Sequence, residues 1–244
     1  MASEDNKIEK ALQKGIDNYL SNFELRNAIC QIPGIGNIVD YMFVNLAQGF
    51  QQRRLIQTIQ YLHEEMNQIN NSIIDQAFLN TEEFHDIIRK TIENSLRTRY
   101  NDKIRLYCKI LVGSVIIDNK NERHSAEDLL SFLSELSPTD LQVGMEIYKQ
   151  QMDKPDKFHI ESDADTELKF IVHSGWHNIQ SICNLSEVDF NIALHKLSRA
   201  GLVKEIVGMY SGYSGGLYLI TPAFQRLMNF IRYSNEPIFY HKIQ

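Results

Sequence analysis

The chain is poor in cysteine, has no excess of positive charge and lacks a long apolar run, and each lack excludes something. Its three cysteines, Cys30, Cys108 and Cys183, are odd in number and far apart. With no CxxC and no histidine at zinc-finger spacing, they read as reduced thiols rather than a disulfide framework or a metal site. A net charge of −6 argues against whole-surface attraction to nucleic acid or anionic lipid, so any such contact needs a local patch. The opening MASEDNKIEKALQKG carries charge from its third residue and has no apolar signal core, so a cytoplasmic protein without a signal or transit peptide is expected. Against these lacks, 244 residues that are 43% hydrophobic are enough for one large core or two smaller ones.

What is present is mostly helical periodicity. Ile8, Leu12, Ile16, Tyr19 and Leu20 are spaced for one face of a helix that ends before Pro33. A second helix after Gly36 shows a wide apolar face, Ile38, Val39, Met42, Phe43, Leu46 and Phe50, with Asn37, Asp40 and Gln48 opposite. Leu55, Ile59, Leu62, Met66, Ile69 and Ile73 then alternate steps of four and three, a heptad seam that serves either packing in a bundle or a dimeric coiled coil. Asn80 with Glu83 reads as an N-cap for a helix from Thr81 to about Tyr100, and a further helix spans Asp102 to Ile116. The polar DNKNERHSAED from Asp118 reads as a loop.

The segment QIPGIGNIVDYMFVNLAQGF, residues 31–50, imitates two functional motifs and satisfies neither. A dinucleotide loop needs Gly or Ala where Val39 stands and a strand in front; a P-loop needs Gly-Lys-Ser/Thr. Gln31, Asn37, Asp40 and Asn45 interrupt it as a membrane span, and Pro33-Gly34 breaks it. The glycines then turn the chain between two helices. Its broad face also allows an alternative, a helix that leaves the bundle for a bilayer through Ile38, Met42, Phe43, Leu46 and Phe50.

From Leu133 the pattern changes. LSELSPTDLQVGMEIYKQQ reads as a helix capped at Ser137 with Pro138 in the first position. A short helix from Trp176 to Asn184 and a turn at Leu185-Ser186 lead to SEVDFNIALHKLSRAGLVKEI. That helix points Val188, Phe190, Ala193, Leu194 and Leu197 inward and is stopped by Gly201. Strand-like VKEIV, the tip GMYSGYSGG and strand-like LYLI form a hairpin, followed by a helix from Thr221-Pro222 to Tyr233. The piece ALHKLSRAGLVKEI…GLYLITPAFQRLMNFI resembles the winged-helix superfamily of MarR-like and ArsR-like regulators over about the last hundred residues. The whole chain is similar to a group of uncharacterised bacterial proteins with an apolar Pro-Gly-x-Gly segment, an EEF…SLRTRYNDKIRLY-type middle and an L-x-x-L-S/T-P junction. The expected class is therefore mainly α: a helical bundle over 1–133 and a winged-helix (α+β) domain over 134–244.

By that resemblance the helix from Ser186 to Ala200 enters a major groove or meets a protein partner. Asn191, His195, Lys196 and Arg199 are its contact residues, with Lys204, Tyr210 and Tyr213 on the wing. Two features weaken the nucleic-acid branch: Glu187 and Asp189 repel phosphate at the helix start, and the wing tip holds no Lys or Arg. A second basic cluster, Arg97, Arg99, Lys103, Arg105 and Lys109, lies among seven cations and two acids between Arg89 and Lys109. It reads either as a phosphate-binding patch or as a solvated face paired with acids elsewhere.

Catalysis is not expected. Gly212-Tyr213-Ser214-Gly215-Gly216 spells a nucleophile elbow, but strands flank it and only Glu236 and His241 follow. His173 and His177, with Cys183 nearby, are spaced four apart, yet Gly175 lies between them and no carboxylate takes the middle position. The expectation is thus a non-enzymatic regulatory protein with no metal, cofactor or small-molecule substrate. Its winged helix docks on nucleic acid or a protein, and its bundle oligomerises or senses. The competing class is a membrane-active effector that releases residues 32–50.

Overall fold

A computed structural model describes residues 52–153, 179–205 and 218–232, with Arg26, Asn27, Cys30, Gly36 and Asp40. The described chain is mainly helical, with one two-stranded antiparallel sheet. It divides into two compact units, Met1–Ser134 with Leu227–Gln244, and Glu135–Arg226.

In the first unit α1 (Gln52–Asn67) packs on α2 (Glu82–Arg97) and α3 (Asn101–Ser114), which pack on each other. The heptad positions Leu55, Ile59, Leu62, Met66 and Ile69 are all buried. Ile73 lies beyond the helix end and is exposed. The seam is therefore packed within the chain's own bundle, the first of the two uses that its spacing serves. Helix α3 is buried nearly all round, two lysines included, as a helix enclosed by neighbours must be. Gly113 on α3 lies against the carbonyl of Phe230, where any Cβ would collide.

The ends of these helices show why they stop where they do. The cap of α2 is Thr81, whose hydroxyl accepts from the Phe84 amide at 3.2 Å; Asn80, the expected cap, instead ends a 3₁₀ turn. Thr98 to Tyr100 leave the helical region between the two expected helices, the first of which ends at Arg97 rather than near Tyr100. At the C-terminus of α3, Asn119 Nδ2 donates to Gly113 O at 2.7 Å. Arg123 donates to Ser114 O at 2.7 Å and Ile116 O at 3.2 Å, satisfying carbonyls that the helix leaves open. Arg123 also bonds Asp75 at 2.8 Å and lies 4.1 Å over the Phe78 ring. The polar stretch from Asp118 is a connection of 3₁₀ turns up to Ser125, as its composition suggests, but Arg123 within it is 5% exposed, and α4 (Ala126–Glu135) begins before the stretch ends.

In the second unit α5 (Pro138–Asp153) begins with a reciprocal capping box. Ser137 Oγ accepts from the Asp140 amide at 3.1 Å, and Asp140 Oδ2 accepts from the Ser137 amide at 2.7 Å. A turn with Asn184 at φ 51°, one residue before the expected Leu185-Ser186, leads to α6 (Glu187–Arg199). Ser186 caps α6 by accepting from the Asp189 amide at 3.1 Å. A Schellman motif closes it: Leu202 N bonds Leu197 O, Gly201 N bonds Ser198 O, and Gly201 adopts φ 68° as a residue without Cβ can. Strand β1 (Val203–Glu205) pairs with β2 (Tyr218–Ile220), Val203 opposite Ile220. Gln151 of α5 clasps β2, accepting from Ile220 N at 3.0 Å and donating to Tyr218 O at 3.4 Å. Helix α7 (Pro222–Ile231) follows, and the division between the units falls inside it. Gly144 lets α5 approach Phe224 and Leu197, where an added Cβ would stand 3.0 and 3.2 Å from their side chains. Among the described residues no helix is long and apolar enough to cross a membrane.

Candidate interaction surfaces

Helix α6 buries Phe190, Ala193, Leu194 and Leu197 and turns its other side outward. Val188, expected inward, is 67% exposed, because a 3.6-residue period centred on the buried positions puts it on the opposite face. One turn on, Ile192 is 46% exposed, and Asn191 and His195 are exposed beside it. The two cations expected to meet phosphate already have acidic partners. Lys196 Nζ bonds Asp140 Oδ2 at 3.2 Å, where Asp140 is buried, and Arg199 bonds Glu135 at 3.0 Å with both side chains well exposed. Lys204, on β1, is exposed and makes no ion pair among the described residues. The outer face of α6 is thus apolar in the middle, acidic at its start through Glu187 and Asp189, and neutralised near its end. Tyr210 and Tyr213 lie outside the described residues, as do His173, His177 and the Gly212–Gly216 motif.

The second basic cluster does not form one surface. Arg105 and Lys109 turn into the first unit and meet Glu65, which is fully buried: Arg105 Nε at 2.8 Å and Lys109 Nζ at 3.5 Å. Arg105 also reaches Glu64 at 3.4 Å and lies over the Tyr61 ring at 5.4 Å. Lys109, 1% exposed, therefore belongs to the core, and its expected place in a phosphate patch is corrected: charges buried this deeply persist only when paired. Cys108, beside them, donates to Thr58 O at 3.6 Å, and burial pushes its thiol well above the usual range. Burial also raises the Cys183 thiol, to about 11, so neither described buried cysteine is a thiolate nucleophile near neutral pH.

Arg97, Arg99 and Lys103 take the other course. With Arg54 of α1 they line a cleft of about 440 Å³ at the break between α2 and α3. Arg54 Nη1 donates to Leu96 O at 2.6 Å, and Lys103 Nζ donates to Ser134 O at 3.1 Å. Arg99 donates to Tyr100 OH at 3.0 Å, which raises the already high guanidinium pKa, and Arg97 makes no hydrogen bond or ion pair among the described residues. Among the described residues no carboxylate lines this cleft; Asp102, in the first turn of α3, is outside its lining. Arg54 went unnoticed in the sequence because it stands some forty positions from Arg97, and nothing local marks its approach.

The membrane-segment candidates Ile38, Met42, Phe43, Leu46 and Phe50 lie outside the described residues. Asp40, read as part of the polar side of that helix, is buried and takes two hydrogen bonds from Arg26, at 2.7 and 3.0 Å. Among the described residues no group of His, Cys, Asp or Glu is placed to hold a metal ion. Compared with protein-family models, curated proteins and solved structures, the chain matches none.

Proposed function

We propose that the chain is a non-enzymatic regulatory protein whose second unit is a winged helix that docks on a protein partner through the outer face of α6. The order α5, a helical turn ending at Ile182, α6, β1, β2 and α7 is that of a winged helix, and the close packing of α5 on α6 and β2 agrees with it. The observation that carries the protein-partner reading is the exposure of Val188 and Ile192 one turn apart, on the face that a DNA-reading helix would fill with polar side chains. Engagement of Lys196 and Arg199 by Asp140 and Glu135 supports it from the other direction, since a phosphate backbone would have to compete with those carboxylates.

Cross-linking in the source cells, followed by recovery of the protein, tests this reading with two variants. Val188→Asp with Ile192→Asp is expected to lose the cross-linked partner while melting at the wild-type temperature, since both side chains are exposed. Lys196→Ala with Arg199→Ala is expected to keep it. A cross-linked product that is nucleic acid, and that disappears with the second variant, contradicts the protein-partner reading and restores the nucleic-acid one.

A further inference from the structure

We propose that the cleft between α1, α2 and α3 is a binding site for a small phosphorylated molecule carrying two or more negative charges. The inference is independent of the docking role of α6. Three arginines, Arg54, Arg97 and Arg99, converge on one cleft in a protein whose net charge is −6, with Lys103 in its wall, and no carboxylate is among the described residues that line it. Several other cations of the same unit hold carboxylates: Arg105 and Lys109 on Glu65, Arg123 on Asp75, Lys90 on Glu127. Like charges gathered in one place repel one another, and an anion between them offsets that repulsion.

The surrounding groups favour an anion in the same way. Two carbonyls beside the cations are already used, Leu96 O by Arg54 and Ser134 O by Lys103. Those two bonds also fix the reach of Arg54, which spends on Leu96 one of its five N–H donors, and of Lys103, which is 5% exposed and thus built into the wall. Arg97 and Arg99 stand at the mouth, both exposed, where planar guanidinium groups can grip phosphate oxygens in pairs. Tyr100 supplies an aromatic face at the rim, with Arg99 5.1 Å from its ring centre. The volume of about 440 Å³ lies within the range of pockets that enclose small molecules and matches a ligand of mononucleotide size. Among the described residues no group of His, Cys, Asp or Glu is placed there to hold a metal ion, and the role proposed for the ligand is that of an effector.

The test is isothermal titration of the full chain with pyrophosphate and with adenosine triphosphate at moderate salt. A parallel arm measures binding to phosphatidylcholine vesicles with and without a phosphoinositide. The expected result is one site per chain, weakened at least tenfold by Arg97→Ala with Arg99→Ala at an unchanged melting temperature. Arg89→Ala, which removes an arginine already paired with Asp86 and Glu93, leaves the affinity as it was. Binding of the soluble phosphates identifies a free metabolite as the source of the phosphate. Binding of phosphoinositide vesicles alone, lost with the same double variant, identifies a lipid headgroup and retains the site. No binding of any probe, or binding equally strong in the Arg97→Ala, Arg99→Ala protein, overturns the proposal.

Discussion

Two regions of this chain carry clustered cations on and around helices, and the structure treats them differently. On α6, Lys196 and Arg199 are joined to Asp140 and Glu135 of the same unit. At the break between α2 and α3, Arg97, Arg99 and Lys103 join Arg54 around a cleft with no acid among its described lining residues. A count of charges along the sequence ranks both as phosphate-binding candidates, whereas the distinction lies in whether an acid from a distant segment reaches them. Glu65 reaches Arg105 and Lys109 from some forty residues away, and no carboxylate is among the described residues that line the cleft. Cations held by buried acids serve folding, and Arg97 and Arg99 are the ones proposed to meet a ligand.

That contrast can be broken by substitution, and the largest effect belongs to the buried pair. Glu65→Leu removes the buried acid that Lys109 and Arg105 share and is expected to cost about 3–5 kcal/mol in urea unfolding. The double variant Glu65→Leu, Lys109→Met should recover most of that loss, because the buried charge goes with its partner. Equal loss in single and double variants would show that Glu65 acts through packing alone.

Arg123→Met comes next, at about 3 kcal/mol, since it strands the carbonyls of Ser114 and Ile116 as well as Asp75. Asp75 adds a pH signature. The Arg123 hydrogen bond foremost, then the amides of Phe78 and Ala77, hold its carboxyl below the usual range against an opposing effect of burial. Its stabilising contribution is therefore complete above about pH 4, the ordinary carboxylate range, and is lost as pH falls through the lower folded value. Unfolding measured from neutral pH downward should show a steeper acid loss in the wild type than in Arg123→Met.

The half-exposed pair on α6 is worth less: Lys196→Ala should cost about 1 kcal/mol or under, and Arg199→Ala nothing measurable. Arg97→Ala with Arg99→Ala should change stability by no more than about 0.5 kcal/mol in the absence of ligand. That smallest effect sharpens the comparison most, because a large loss of stability there would make the cleft cations structural like the others.

Much of the fold is legible locally. Ser137-Pro138 and Gly201 mark helix ends by backbone chemistry that needs no tertiary partner, and the seam from Leu55 to Ile69 marks a buried face. Where the reading failed, a nonlocal contact or a close choice decided the outcome. Asn80 and Thr81 are both competent caps, and Thr81 wins by one residue once Asn80 closes the preceding 3₁₀ turn. Arg123 looks like loop composition until α3 ends and its open carbonyls need donors. Val188 reads as inward because it is apolar, although the period set by Phe190, Leu194 and Leu197 places it outside. Of the candidate site, Arg97, Arg99 and Lys103 were visible as charge. Their separation from Arg105 and Lys109 was not, because it depends on Glu65 arriving from α1.

The most direct test of the central claim, that α6 meets protein rather than nucleic acid, is a titration of the purified chain with random duplex from about 50 to about 200 mM salt. Wild type and Lys196→Glu with Arg199→Glu are compared side by side. The account predicts weak binding at every salt concentration and the same curve for both proteins. Tight binding with a steep salt dependence that the double variant abolishes would contradict it.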